Sequence, residues 1–217
     1  MSLSINRRRL STPILSLLVF FLAAGLAHAQ DVEDQNDELM RDTIERLSGL
    51  ASRDYMTFDF GRERDSSAVS VVVAESQAME LVGQIRAELP DGFIAFAGTY
   101  LWLGDEVHER KIEVVIAEGR NQYDILRLAR SDAVNHGMMT EDLIAWFQAR
   151  EEEIEIDIWQ ASTDLIQATV LSGPKDMDSF VDDLYAFCPD IVDQGSGNKD
   201  DIRAMVGGYS MLYLWWD

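Results

Sequence analysis

The chain has little cysteine, proline, histidine or positive charge. Its 217 residues include one cysteine, four prolines and three histidines. There are 18 lysines and arginines but 39 aspartates and glutamates. A single cysteine excludes an internal disulfide. The formal net charge of −21 argues against binding to nucleic acid or to an anionic membrane surface. An acidic balance of this size favours solubility, cation binding or a basic partner.

Motifs that would identify a common enzyme are also missing. The sequence contains no pair of histidines at helical spacing, no paired cysteines, no Gly-x-Ser-x-Gly and no phosphate-binding loop. The composition therefore predicts no cofactor and no metal.

A long apolar run occurs only near the start of the chain. Residues 7–9 are arginines, residues 14–26 are apolar, and residues 27–29 read Ala-His-Ala. This order is typical of a secretory signal peptide over residues 1–29. The pattern predicts a bacterial protein that is periplasmic or secreted, begins at Gln30 after cleavage and has no stable membrane association. The alternative is an uncleaved anchor, but the run is short for a bilayer span of about 20 residues.

The remaining residues suit an acidic segment and helix over 30–54, followed by one α+β domain over 55–217. That domain could also consist of two fused subdomains, 55–120 and 121–217. The first part reads β-α-β-β, with strands at residues 68–74, 93–103 and 112–116. A helix capped by Ser76 lies between the first two strands.

The second part, residues 121–217, reads β-α-β-β-α-β. Its predicted strands cover residues 123–129, 154–158, 166–170 and 210–216. Thr140 is predicted to cap its first helix, and its second helix begins near residue 177. This is the order of a ferredoxin-like sandwich. The predicted fold class is therefore α+β, a mainly antiparallel sheet with helices packed on it, preceded by the β-α-β-β extension.

Several stretches resemble one family. They are FCPDIVDQGSG at residues 187–197 with the terminal LYLWWD, GFIAFAGT at 92–99, NQYDILRLARSDAVNHG at 121–137 and TEDLIAWF at 140–147. Together they resemble the uncharacterised bacterial family catalogued as domain of unknown function 4253, over roughly residues 58–217. The resemblance implies no activity or catalytic residue, because the family has no agreed function.

The candidate catalytic residues are Cys188, His136, Asp190 and Asp193. A thiolate needs a nearby base or positive charge, whereas Cys188 has aspartates close by in the sequence, so a buried structural thiol is the alternative. His136 lies in a turn after Asp132 and is either a general base or a surface residue. Oxygen atoms of the aspartates could bind calcium, but the spacing is not that of an EF-hand.

The candidate binding residues are Asp190, Asp193, Gln194, Trp216 and Asp217. Of the adjacent Trp215 and Trp216, one should enter the core, because neighbouring strand residues point to opposite faces. The sequence predicts a module that binds an unknown protein or peptide. The alternative is a thiol- or carboxylate-dependent hydrolase built around Cys188, His136 and Asp190 or Asp193.

Overall fold

The computed structural model of the protein describes residues 13–56, 64–101 and 110–217. The chain divides into two units, Met1–Leu39 and Met40–Asp217. The helices are α1 (Pro13–Ser48), α2 (Glu75–Glu88), α3 (Tyr123–Ala129), α4 (Thr140–Gln148), α5 (Met177–Phe187) and α6 (Lys199–Arg203). The strands are β1 (Arg53–Met56), β2 (Arg64–Ala74), β3 (Phe93–Leu101), β4 (Lys111–Glu118), β5 (Glu155–Ala161), β6 (Leu165–Ser172) and β7 (Met211–Trp215).

All of these strands belong to one sheet, in the order β1-β2-β4-β3-β5-β6-β7. Neighbouring strands are antiparallel except β3 and β5, which are parallel. Helix α2 connects β2 to β3, and β4 lies between those two strands. The predicted α+β class with a mainly antiparallel sheet is confirmed.

Helices cover both faces of the sheet around β2, β3 and β4. One buried cluster joins α2 and the last turns of α1 to strand residues such as Val69, Val114 and Ala95. A larger cluster joins α3, α4 and α5 to alternate strand residues such as Ala68 and Val115. Because successive strand residues point to opposite faces, the two clusters lie on opposite sides. Strand β4 is buried on both of its faces. The alternation of Ile112, Val114 and Ile116 in the sequence predicts burial of one face only.

The two halves of the sheet meet at β3 and β5 through a single paired position, Ala97 with Gln160. Side chains replace the missing strand pairing. The Arg86 guanidinium donates to the carbonyl oxygens of Ala95 and Ile158, at 2.7 and 2.6 Å, and to Asp157 at 2.7 Å. The Gln122 side-chain oxygen accepts from the Ile158 N–H at 2.9 Å. These bonds satisfy backbone groups that the separated strands leave without a partner.

Residues 123–129 are helix α3, so the predicted strand there is wrong, and with it the β-α-β-β-α-β order of residues 121–217. The apolar pattern of this segment suits either a strand or a helix. Polar side chains at its start bond to backbone N–H groups and favour the helix. Asn121 Oδ1 accepts from the Tyr123 N–H at 2.9 Å, and Asp124 Oδ2 accepts from the Arg120 N–H at 2.7 Å. The first bond satisfies an N–H group that a helix start leaves open, and the second fixes the backbone just before the N-cap Gln122.

Two predicted helix caps also move. Helix α2 begins at Glu75, one residue before Ser76, and α4 begins at Thr140 itself, with Met139 as its N-cap. The Asp142 carboxylate accepts from the Met139 N–H at 2.9 Å and supplies the capping bond. Both predicted helices are present, but the hydroxyl residues lie inside their first turns.

Some sequence predictions fall on residues that the structure does not describe. The arginines of the predicted signal lie outside the described ranges, as do residues 102 and 103 of the third predicted strand. Within the part of the chain that is described, no helix is long and apolar enough to cross a membrane. The cleavage site and the domain boundaries stay predictions.

The end of the chain enters the core, as its two tryptophans predicted. Trp216 is 3% exposed, whereas Trp215 is only partly buried. The Trp216 ring meets Phe187 edge-on at 5.4 Å between centroids, and Phe187 stacks on Trp146 at 4.1 Å. The Trp216 indole N–H donates to the Phe187 carbonyl at 3.3 Å. Trp216 therefore joins the last strand to α4 and α5.

We expect Trp216→Ala to lower the free energy of unfolding by about 3–5 kcal/mol, as large aromatic truncations in a core do. The matched variant Trp215→Ala should cost about 1 kcal/mol, because its side chain keeps part of its surface in water. Urea denaturation of both variants measures the difference. Equal losses would contradict the assignment of Trp216 to the core.

Candidate functional site

The loop after α5 and the end of β7 are joined by three hydrogen bonds at consecutive positions. Besides the Trp216–Phe187 bond, the Cys188 thiol donates to the Trp215 carbonyl at 3.1 Å. The Asp217 N–H donates to Asp190 Oδ2 at 3.0 Å. Two of the segments that carried the family resemblance, residues 187–197 and the terminal LYLWWD, are therefore neighbours in space. The hydrogen bonds between these residues fix the loop and the end of β7 relative to one another.

Cys188 is buried at the C-terminal end of α5. Burial raises the pKa of its thiol to about 12, and the negative charge of Asp190 adds to the effect. A thiol with such a pKa stays protonated at neutral pH, and a protonated thiol is a poor nucleophile. The geometry favours the structural alternative for Cys188.

His136 and Asp190 are brought together although 54 positions separate them. His136 belongs to the 3₁₀ turn Val134–His136, and its Nε2 lies 2.9 Å from Asp190 Oδ2. Burial opposes ionisation of Asp190, but hydrogen bonds from the Asp217 N–H, His136 and Gln194 outweigh it and hold its pKa below the ordinary value. The ionised carboxylate accepts only, so Nε2 carries the proton and Nδ1 of a neutral ring is an acceptor.

Of the other candidate residues in the loop, Asp193 does not contact the His136–Asp190 pair, whereas Gln194 bonds to Asp190. Asp193 is exposed and accepts from the Tyr185 hydroxyl at 3.0 Å. Gln194 is exposed and bonds to Asp190. Among the described residues, no three histidine, cysteine, aspartate or glutamate side chains are arranged to hold a metal ion.

A feature that the sequence did not predict lies on the other side of the same loop, at the outer edge of β7. In the described sheet β7 pairs with β6 alone. Ser210 and Trp216 bond to the β6 side, because the Val170 N–H donates to Ser210 and the Trp216 N–H donates to Asp164. Backbone groups alternate along an antiparallel strand, so those of Met211 and Tyr213 point outward. Within the described residues nothing bonds to them there.

An apolar groove of about 680 Å³ runs along this open edge. Met211, Tyr213 and Trp215 of β7 line it, and so do Ile191, Ile202 and Met205 from the segments between α5 and β7. Its volume falls within the range of about 300–1,000 Å³ that is common for ligand pockets. We call this feature the β7 groove.

The backbone around the β7 groove is irregular. Two π-helical segments, Ile191–Ser196 and Ala204–Gly208, flank it. Ser210, just before β7, has a φ of 51°, in the left-handed region. π-Helices are rare and often occur at functional sites, and a non-glycine residue at positive φ is retained where the surroundings demand it.

Residues 113–217 match the family described as domain of unknown function DUF4253. The match confirms the resemblance that the loop and the last strand predicted. It begins inside β4 and therefore omits β3, which lies between β4 and β5 in the sheet. No curated protein and no solved structure matches the chain.

The raised pKa of Cys188 predicts slow alkylation. At pH 8 the native thiol should react with iodoacetamide at least about a hundredfold more slowly than the same thiol in denaturant, because both the thiolate fraction and access are reduced. Mass spectrometry of timed samples measures the rates. Fast labelling of the folded protein would make Cys188 a candidate nucleophile again.

The lowered pKa of Asp190 predicts a stability contribution that depends on pH. A carboxyl whose folded pKa is below its unfolded value of about 3.9 stabilises the fold above that pH, and the contribution is lost as pH falls through the folded pKa. Asp190→Asn should therefore cost about 1–2 kcal/mol at pH 7 and less near pH 3, because part of the contribution is lost below the unfolded pKa. Urea denaturation at both pH values tests this, with the exposed Asp193→Asn as control. A deficit that persists unchanged in acid would contradict it.

Proposed function

We propose that this domain of unknown function binds an extended segment of another protein, which adds as a further strand to the outer edge of β7. The observation that carries the proposal is the backbone of Met211 and Tyr213, whose outer groups have no hydrogen-bond partner among the described residues and lie beside the β7 groove. Strand addition of this kind obtains affinity from main-chain hydrogen bonds and specificity from pockets for alternate side chains.

An exposed edge strand normally needs protection, since it can pair with any extended chain. Charged side chains, proline or a covering helix usually provide it. Strand β7 instead carries Met211, Tyr213 and Trp215 next to the edge, and none of them is charged or fully buried. Tyr209, two residues before the strand begins, is 77% exposed. Such a strand is suited to a partner that covers it.

The groove provides contacts for the side chains of a bound peptide, which the strand edge alone does not provide. Because alternate residues of an extended peptide point to the same side, every second side chain of an added strand would face the wall that contains Ile202 and Met205. The hydrogen bonds at Phe187, Cys188 and Asp190 hold the end of β7, so the edge is positioned before a peptide arrives. A preorganised edge lowers the entropic cost of binding.

The location of this function is part of the proposal. The signal predicted over residues 1–29 would deliver the domain to the periplasm or the cell exterior. There the partner would be another exported protein or a peptide.

A carboxylate-dependent enzyme is the second candidate, and one observation favours it. The Asp190–His136 bond orients an imidazole that could accept a proton at Nδ1. Among the contacts of the described residues, His136 is bonded to Asp190 and not to the Cys188 thiol. Asp190 also fixes the Asp217 backbone, so a supporting role explains its carboxylate without a reaction.

The test is a peptide selection on the full chain from a random displayed library, followed by fluorescence polarisation with the selected peptides. Tyr213→Pro removes the outward N–H and leaves the pairing with β6, because a proline is tolerated where the N–H faces away from the sheet. We expect it to weaken binding at least about tenfold, which corresponds to 1.4 kcal/mol. The control Tyr213→Phe keeps the N–H and should bind within about threefold of the original protein.

N-Methylation along a selected peptide tests the same bonds from the ligand side. Loss of binding should recur at every second residue, because only alternate amides of an added strand face β7. Failure to select any peptide, or binding that ignores both Tyr213→Pro and N-methylation, would overturn the proposal. So would a concentration-dependent dimer that Tyr213→Pro dissolves, because the occupant would then be a second copy of the chain.

A further inference from the structure

We infer that the peptide taken by the β7 groove is apolar and basic, with a lysine or arginine placed to meet Asp201. The inference rests on the proposed strand addition and adds the chemistry of the ligand. The apolar walls of the groove and the charge distribution around it support this assignment.

The walls of the groove set the apolar requirement. Ile202 is almost completely buried and Met205 is half-buried, and both line the groove together with Tyr213. Ala204 and Gly195 leave room between the larger side chains. A polar side chain placed here would lose its water without gaining a partner, which is unfavourable.

Asp201 is the one charged residue that lines the described groove. It lies in the first turn of α6, where Asn198 Nδ2 donates to its Oδ2 at 2.8 Å. No described contact engages its Oδ1, and the side chain is exposed. A cationic side chain of a bound peptide can therefore reach this carboxylate without displacing an existing ion pair.

The basic residues in the last segment of the chain, residues 189–217, form ion pairs with aspartates. Residues 189–217 contain five aspartates but only two basic residues, Lys199 and Arg203. Lys199 Nζ donates to Asp182 at 2.8 Å and sits over the Tyr185 ring at 4.5 Å. Arg203 pairs with Asp178. Near Tyr213, Glu75 and Asp164 contribute negative charge and Arg110 contributes positive charge. Carboxylates therefore outnumber basic groups around the groove, within a chain whose net charge is −21.

This field discriminates between peptides of similar apolarity. A basic peptide is attracted and an acidic one is repelled, mainly through their association rates. An exposed ion pair contributes modestly, so the pairing with Asp201 should change affinity by about threefold. Exchange of a peptide lysine for glutamate combines lost attraction with repulsion and should cost about tenfold or more.

The experiment uses a peptide selected on the full chain and two relatives that differ at one basic position, with Lys replaced by Gln or by Glu. We expect the Lys form to bind most tightly and the Glu form least tightly. Asp201→Asn should remove about a threefold preference for Lys over Gln. Glu152→Gln removes an equal charge from an exposed site on the turn after α4 and should leave the preference unchanged. About 1 M salt should compress the whole series.

The outcomes separate this inference from the function on which it rests. If Tyr213→Pro abolishes binding but the Lys, Gln and Glu peptides bind equally, the strand addition stands and the basic ligand is wrong. The basic ligand is equally wrong if Asp201→Asn keeps the full preference for Lys. If Tyr213→Pro has no effect, the proposed function fails together with the inference.

Discussion

Among the described residues, strand β7 pairs with another strand on one side only, and the candidate site depends on this constraint. The strand pairs with β6 along its inner edge. The end of β7 is held by three hydrogen bonds. The Cys188 thiol donates to it, and the Asp190 carboxylate and the Phe187 carbonyl accept from it. Within the part of the chain that the structure describes, no bond engages the outer backbone groups of Met211 and Tyr213, so this stretch of the edge is open while its position is fixed. The residues that look reactive in the sequence thus act on the backbone of the last strand. A buried thiol bonded to a carbonyl and a carboxylate bonded to an N–H are structural contacts whose effect is to shape the β7 groove.

Much of the fold could be predicted because its signals are local. The alternation of isoleucines at residues 154–158 marks β5, and the apolar face of residues 177–184 marks α5. Burial of one of the two tryptophans followed from the alternation of strand side chains. The error at residues 123–129 arose where the apolar pattern fits both periods, and only the polar residues Asn121 and Asp124 indicate a helix. The sheet order could not be predicted, because it depends on contacts between distant segments.

The candidate site shows the same division. The sequence predicted that His136, Asp190 and Asp217 belong near a functional loop, and the structure brings them into contact. It did not predict the groove, because an open edge is visible only once the neighbours of each strand are known. One local signal was present. Met211, Tyr213 and Trp215 alternate with buried leucines, at positions where the outer face of a final strand commonly carries polar residues. Large apolar side chains at such positions indicate a surface that is meant to be covered.

The junction between β3 and β5 has a consequence for how the molecule folds. Strands β1–β4 come from one continuous stretch of chain and β5–β7 from the next, and the sheet joins them through one bridge between Ala97 and Gln160. Contacts between residues close in sequence form sooner than contacts between distant ones. The two halves can therefore gain structure separately, and the seam spanned by Arg86 closes late. For the same reason the seam is a natural boundary between units that open independently in the native state. Arg86, a partly exposed residue of α2, then acts together with the larger buried cluster, which contains residues of both halves, to join them into one cooperative protein.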